Sequence, residues 1–78
     1  MNNWKLIRSN INEQVWVNKK LGLRLISAKG DKDWQVFYEK DIGKIASEES
    51  FISDAFIGNN LTKKEALKVA KKYMEDKQ

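Results

Sequence analysis

The stretch Thr62-Lys63-Lys64-Glu65-Ala66-Leu67-Lys68-Val69-Ala70-Lys71-Lys72-Tyr73-Met74 decides the class of fold. Thr62 and Glu65 stand in the T-x-x-E pattern of a capping box, in which each side chain satisfies a backbone N–H at the start of a helix. At about 100° per residue, Ala66, Leu67, Val69, Ala70, Tyr73 and Met74 fill one apolar arc, and Lys64, Lys68, Lys71 and Lys72 fall on the opposite side. The pattern predicts an amphipathic helix over residues 63–75. Gly58-Asn59-Asn60 just before it reads as a loop.

A helix with one apolar face needs something to cover, and the residues upstream read as strands. Trp34-Gln35-Val36-Phe37-Tyr38-Glu39 is aromatic and β-branched, with Trp34, Val36 and Tyr38 on one face. Leu21, Leu23 and Leu25 likewise alternate with other residues. Between the two runs lies Ala28-Lys29-Gly30-Asp31-Lys32-Asp33, which has hairpin chemistry, with Gly30 available for a positive φ. Asp41-Ile42-Gly43-Lys44 reads as a second turn, with a strand following through Ile45. Trp4 to Ile7 and Gln14 to Val17 are strand-like, with Ser9-Asn10 near a turn between them. Residues 47–57 fit either a short helix, with Glu48 and Glu49 in its first turn, or a strand with Phe51, Ala55 and Ile57 on one face. The helix is the favoured reading.

The expected architecture is therefore a single α+β domain over residues 1–78. It has a small antiparallel sheet of three to four strands packed on one C-terminal amphipathic helix, with a short helix before it. The second sheet face would carry Arg24, Ile26, Gln35, Phe37 and Glu39, a mixed surface.

With 78 residues the chain has room for one modest core. Its 41% hydrophobic and 33% charged content is that of a chain that folds. It has no cysteine, which removes disulfides, thiolate metal sites and a thiol nucleophile, and points to a reducing compartment such as the cytoplasm. It has no histidine, so the usual base near neutral pH and the commonest metal ligand are missing. No run reaches the roughly 20 apolar residues of a membrane helix, and none near Met1 reads as a signal peptide.

Catalysis finds little support. Asp31 and Asp33 sit in a hairpin loop, where acids are common turn formers, and Glu48 and Glu49 sit at a helix start, where acids favour the dipole. Neither pair is placed to face the other across a cleft. Asp31-Lys32-Asp33 lacks the further ligands of a calcium loop. No phosphate-binding glycine loop is present. The expectation is a protein that is not an enzyme and uses no cofactor or metal.

Charge leaves two readings. Net charge is +4, unevenly spread. Residues 1–30 carry six basic residues against Glu13, residues 31–60 three against seven acids, and residues 61–78 six lysines against Glu65, Glu75 and Asp76. The leading reading is a nucleic-acid-associated binding domain. Lys63, Lys64, Lys68, Lys71 and Lys72 would meet phosphates, Lys19, Lys20 and Arg24 would extend the footprint, and Phe37 and Trp16 on an open sheet face would stack on bases. A solvated helix face explains the same lysines without a ligand.

The alternative is a small regulator or inhibitor that binds a larger protein, of the kind phages and mobile elements carry. It would work through aromatic anchors such as Trp16 and Phe37 and the acidic segment Asp41 to Asp54. Trp4-Lys5-Leu6-Ile7 is a candidate edge strand, through which a homodimer could form.

The order Trp34…Tyr38, Gly43-Lys44, Thr62-Lys63-Lys64-Glu65-Ala66 is similar to the arm-type DNA-binding domains of phage integrases. That resemblance covers about the last 45 residues and implies a three-stranded sheet followed by a helix, with the sheet entering the major groove. The chain departs from it at residues 47–54, which are acidic where that family tends to be basic.

Overall fold

A computed structural model describes residues 3–41 and 51–77. Five strands form one antiparallel sheet in sequence order: β1 (Lys5–Asn10), β2 (Glu13–Asn18), β3 (Leu23–Lys29), β4 (Trp34–Asp41) and β5 (Phe51–Leu61). Helix α1 (Lys63–Asp76) follows and lies over β3, β4 and β5. The class is α+β as expected, with five strands rather than three to four. No helix among the described residues is long and apolar enough to cross a membrane.

Local chemistry makes the turns. Asn10 Oδ1 accepts from the N–H groups of Asn12 and Glu13 at 2.8 and 3.0 Å, which closes the β1–β2 hairpin with an Asx turn. In the β2–β3 turn, Asn18 Oδ1 accepts from Leu21 N–H at 3.1 Å, and Gly22 takes φ 65°. The β3–β4 turn is shorter than the loop expected from Ala28 to Asp33, because Ala28 and Lys29 still pair with β4. Gly30 N–H donates to Asp33 C=O at 2.9 Å and closes it. Leu21, expected on the packed face of β3, precedes that strand and is exposed. Gly30 does not use a positive φ; Gly22 and Asn60 do.

Register sets the two faces. Trp16, Leu25 and Tyr38 are cross-strand neighbours, and so side chains of this row share a face. That face meets the helix. Leu25, Trp34, Val36, Ala66, Ala70, Met74 and Trp4 form the buried core, with Leu23, Tyr38, Ile57, Leu61, Val69 and Tyr73 packed around it. Full burial of a side chain the size of Leu25 or Met74 contributes roughly 1.5–3 kcal/mol. The small Ala66 and Ala70 let the helix sit close to the sheet. The opposite face carries Val15, Val17, Ile26, Phe37, Arg24 and Glu39, as the alternation from β3 and β4 implied.

β5 departs from the expected short helix over residues 47–57. Phe51–Leu61 is a strand, while residues 42–50, with the turn and third strand expected there, lie outside the described residues. β5 has 11 residues against 8 in β4, and the excess is absorbed by three register shifts along the pair. Each extra residue interrupts the period-2 alternation and bends the strand. Phe51, Ile52, Ala55 and Phe56 therefore fall at spacings that mimic a helix. Gly58, Asn59 and Asn60, expected as a loop, belong to this strand: Gly58 pairs with Val36, and Asn60 adopts φ 56°. Residues suited to turns also suit bulges, and here Asn60 supplies left-handed backbone within the strand.

Candidate nucleic-acid interface

The lysine face depends on how α1 is fixed at each end. At its start Thr62 is extended (φ −77°, ψ 166°), and both halves of the capping box form. Glu65 N–H donates to Thr62 Oγ1 at 3.2 Å, and Thr62 N–H donates to Glu65 Oε1 at 2.9 Å. The Thr62 backbone N–H, followed by its hydroxyl and the charge of Lys68, holds the Glu65 carboxyl below its ordinary pKa. At the other end the Lys77 carbonyl accepts from Trp4 Nε1 at 2.8 Å and from Asn18 Nδ2 at 3.5 Å. The helix C-terminus is thereby tied to the start of β1 and the end of β2.

Lys64, Lys68, Lys71 and Lys72 are all exposed on the outer side of α1, and none forms an ion pair or hydrogen bond with a described residue. Lys63 leaves this group: its Nζ lies 5.9 Å from the centroid of the Trp34 ring, where the ring's negative face attracts it. Lys19 and Lys20 are exposed in the β2–β3 turn. The contact of Asn18 with the Lys77 carbonyl brings the start of that turn to the C-terminal end of the helix.

Arg24 does not belong to it. It lies on the sheet face away from the helix, where Nε donates to Glu39 Oε1 at 2.6 Å, and the two side chains are only 11% and 14% exposed. Arg8, the other arginine, pairs with Glu13 at 3.1 Å.

The aromatic residues are dispersed. Trp16 is half-buried against the core on the helix-facing side, whereas Phe37 is on the other face, 5.5 Å from the ring of Phe56. Trp16 and Phe37 therefore share no stacking platform. Trp4 and Trp34 are core residues. Tyr73 stacks on Tyr38 at 5.6 Å and meets Trp4 edge-on at 6.1 Å. The tie between Trp4 and Lys77 had no signal in the sequence, because nothing local links positions 73 residues apart.

Of the acidic groups weighed for chemistry, Asp31 and Asp33 are exposed in the β3–β4 loop, and Glu48 and Glu49 lie outside the described residues. Among the described residues no three acidic side chains converge as a metal site would require. The side chains from Asp41 to Asp54, the expected acidic surface, also lie outside the description.

The integrase arm-type pattern meets a five-stranded sheet instead of three, and its Gly43-Lys44 turn is not described. Compared with family models, curated proteins and solved structures, the chain matches none.

Proposed function

We propose that the domain binds nucleic acid through its phosphates, with α1 as the contact surface. The observation that carries the reading is the set of four lysines, Lys64, Lys68, Lys71 and Lys72, exposed and outside any salt bridge with the described residues on a helix anchored at both ends, with Lys68 alone feeling the charge of a described carboxylate, Glu65. A cation outside any salt bridge with the described residues keeps its charge available to a polyanion, and each phosphate it neutralises releases condensed counterions. The test is fluorescence anisotropy with short DNA probes. Binding near or below about 10 µM at 150 mM salt is expected, with steep weakening as salt rises. Lys64→Glu, Lys68→Glu and Lys71→Glu together abolish it while the circular dichroism spectrum is retained. Absence of binding at 50 mM salt refutes the proposal.

A second reading, protein binding through β1, has its own support. All six residues of this edge strand are exposed, and Leu6 (49%), Ile7 (47%) and the adjoining Ile11 (80%) gather apolar surface there. An open edge of this kind pairs with a strand of a partner or of a second copy. The register shift between Leu6 and Arg8 and the charge of Lys5 work against indiscriminate pairing. Loss of a complex on Ile7→Lys, with the helix lysines immaterial, would favour this reading.

A further inference from the structure

We infer that the preferred ligand of the lysine face is double-stranded, and that it is bound without regard to sequence; the inference rests on the phosphate-binding reading above. Three observations lead there.

The first is the separation of charge from aromatic surface. Sequence-tolerant binding of single strands relies on bases stacking against exposed rings beside a basic groove. Here the lysines point outward from α1. Tyr73, on the same helix, turns inward against Tyr38 and Trp4. Phe56, the exposed ring among the described residues, is on the far face of the sheet with Phe37. A helix and a sheet lie between them and the lysines, a thickness on the order of 15 Å. Trp16, on the helix-facing side, is half-buried against the core, so a single strand laid along the lysines finds no fully exposed ring among the described residues.

The second is the pattern of the lysines. At about 100° per residue, Lys71, Lys64, Lys68 and Lys72 fan in that order across roughly 100° of the helix circumference. At the reach of an extended lysine the fan is roughly 14 Å wide, and it runs about 12 Å along the helix. A single backbone follows one edge of it. Two backbones bordering a groove reach both edges, since the grooves of the duplex are about 6 and 12 Å wide between their walls. Duplex DNA also offers the denser charge, one per about 1.7 Å of axis.

The third is the state of the arginines. Bidentate contact of arginine with guanine is the commonest specific reading of a base. Arg8 and Arg24 are the arginines of this chain, and both are paired with carboxylates, Glu13 and Glu39. Lysine ammonium groups on phosphates carry no sequence information.

The experiment compares a labelled 20-base-pair duplex, its separate strands and a second duplex of unrelated sequence, each titrated between 50 and 200 mM salt. The expected result is duplex binding at least about fivefold tighter than either strand and equal affinity for both duplexes within about threefold. The slope of log K against log salt should be near −3.6, four phosphates at about −0.9 each. Lys64→Gln with Lys68→Gln lowers the slope by about 1.8, a readout that partial loss of fold does not imitate. Single-strand binding as tight as duplex binding, or a tenfold preference between duplexes, overturns the inference and leaves the phosphate-binding reading standing. No binding to any probe at 50 mM salt overturns both.

Discussion

Arg24→Met separates the two roles a basic residue can have here. The guanidinium is within hydrogen-bond distance of Glu39, and both side chains are largely covered, at 11% and 14% exposure. A charge-assisted hydrogen bond of this kind is worth about 1.5–3 kcal/mol. Removing one partner of a fully buried pair costs about 3–5 kcal/mol, because the remaining charge is left in a poor solvent. The residual exposure of Glu39 reduces that toward about 2–3 kcal/mol. A chain of this length has a total stability on the order of 4–12 kcal/mol, so the loss is large. Urea unfolding followed by tryptophan fluorescence measures it. With a slope of about 1 kcal/mol/M, the midpoint falls by about 2 M. Arg24→Met with Glu39→Met removes both members of the pair and leaves apolar groups beside Val17 and Phe37, so the double variant is more stable than the sum of the single losses. The phosphate affinity of Arg24→Met stays at the wild-type value. A loss under about 0.5 kcal/mol, or a double variant as unstable as the sum of the singles, refutes the reasoning. A tenfold drop in affinity would return Arg24 to the binding face.

Three further outcomes are expected. Ser27 is fully buried with its hydroxyl unpartnered among the described residues, so Ser27→Ala leaves stability unchanged or raises it by up to about 1 kcal/mol in the same urea assay; a clear loss would show that the hydroxyl has a partner. Thr62→Ala removes the cap and costs about 1 kcal/mol at neutral pH. The Glu65 carboxyl is held below its ordinary pKa first by the Thr62 backbone N–H, which alanine keeps, and then by the hydroxyl. The hydroxyl's electrostatic share of the gap between wild type and Thr62→Ala is therefore full above the ordinary carboxylate range and fades as pH falls through the lowered value, and the gap narrows in acid by that share. Asn18→Asp replaces the donor to the Lys77 carbonyl with a negative charge at the negative end of the helix dipole; thermal unfolding should show a fall of 10 °C or more, about 2 kcal/mol, and an unchanged midpoint would remove Asn18 from the clamp.

What the sequence made legible is what local chemistry determines. The helix could be read to within a residue at its end because Thr62 and Glu65 are three positions apart and the apolar arc repeats within a turn. β3 and β4 were legible from alternation, and the mixed second face followed from it. β5 was not, because three bulges erase the period that identifies a strand. Arg24 was placed with the phosphate-binding residues because charge is visible in a sequence and a cross-strand partner is not. Glu39 becomes its neighbour only once β3 and β4 pair in register. The lysines of α1 needed no tertiary information, since their side of the helix is set by the apolar side.

The order of strands in the sheet is the order of the chain, and this has a consequence for synthesis. Each hairpin can zip as soon as its second strand emerges, because the loops to be closed are short. The layer that covers Leu25, Trp34 and Val36 is made last: Met74 follows Trp34 by 40 residues. At about 5–20 residues per second, the nascent sheet shows an apolar face for roughly 2–8 s before its helix exists. A ribosome stalled before Lys63 would present a sheet without a lid, a natural client for a chaperone and a seed for aggregation.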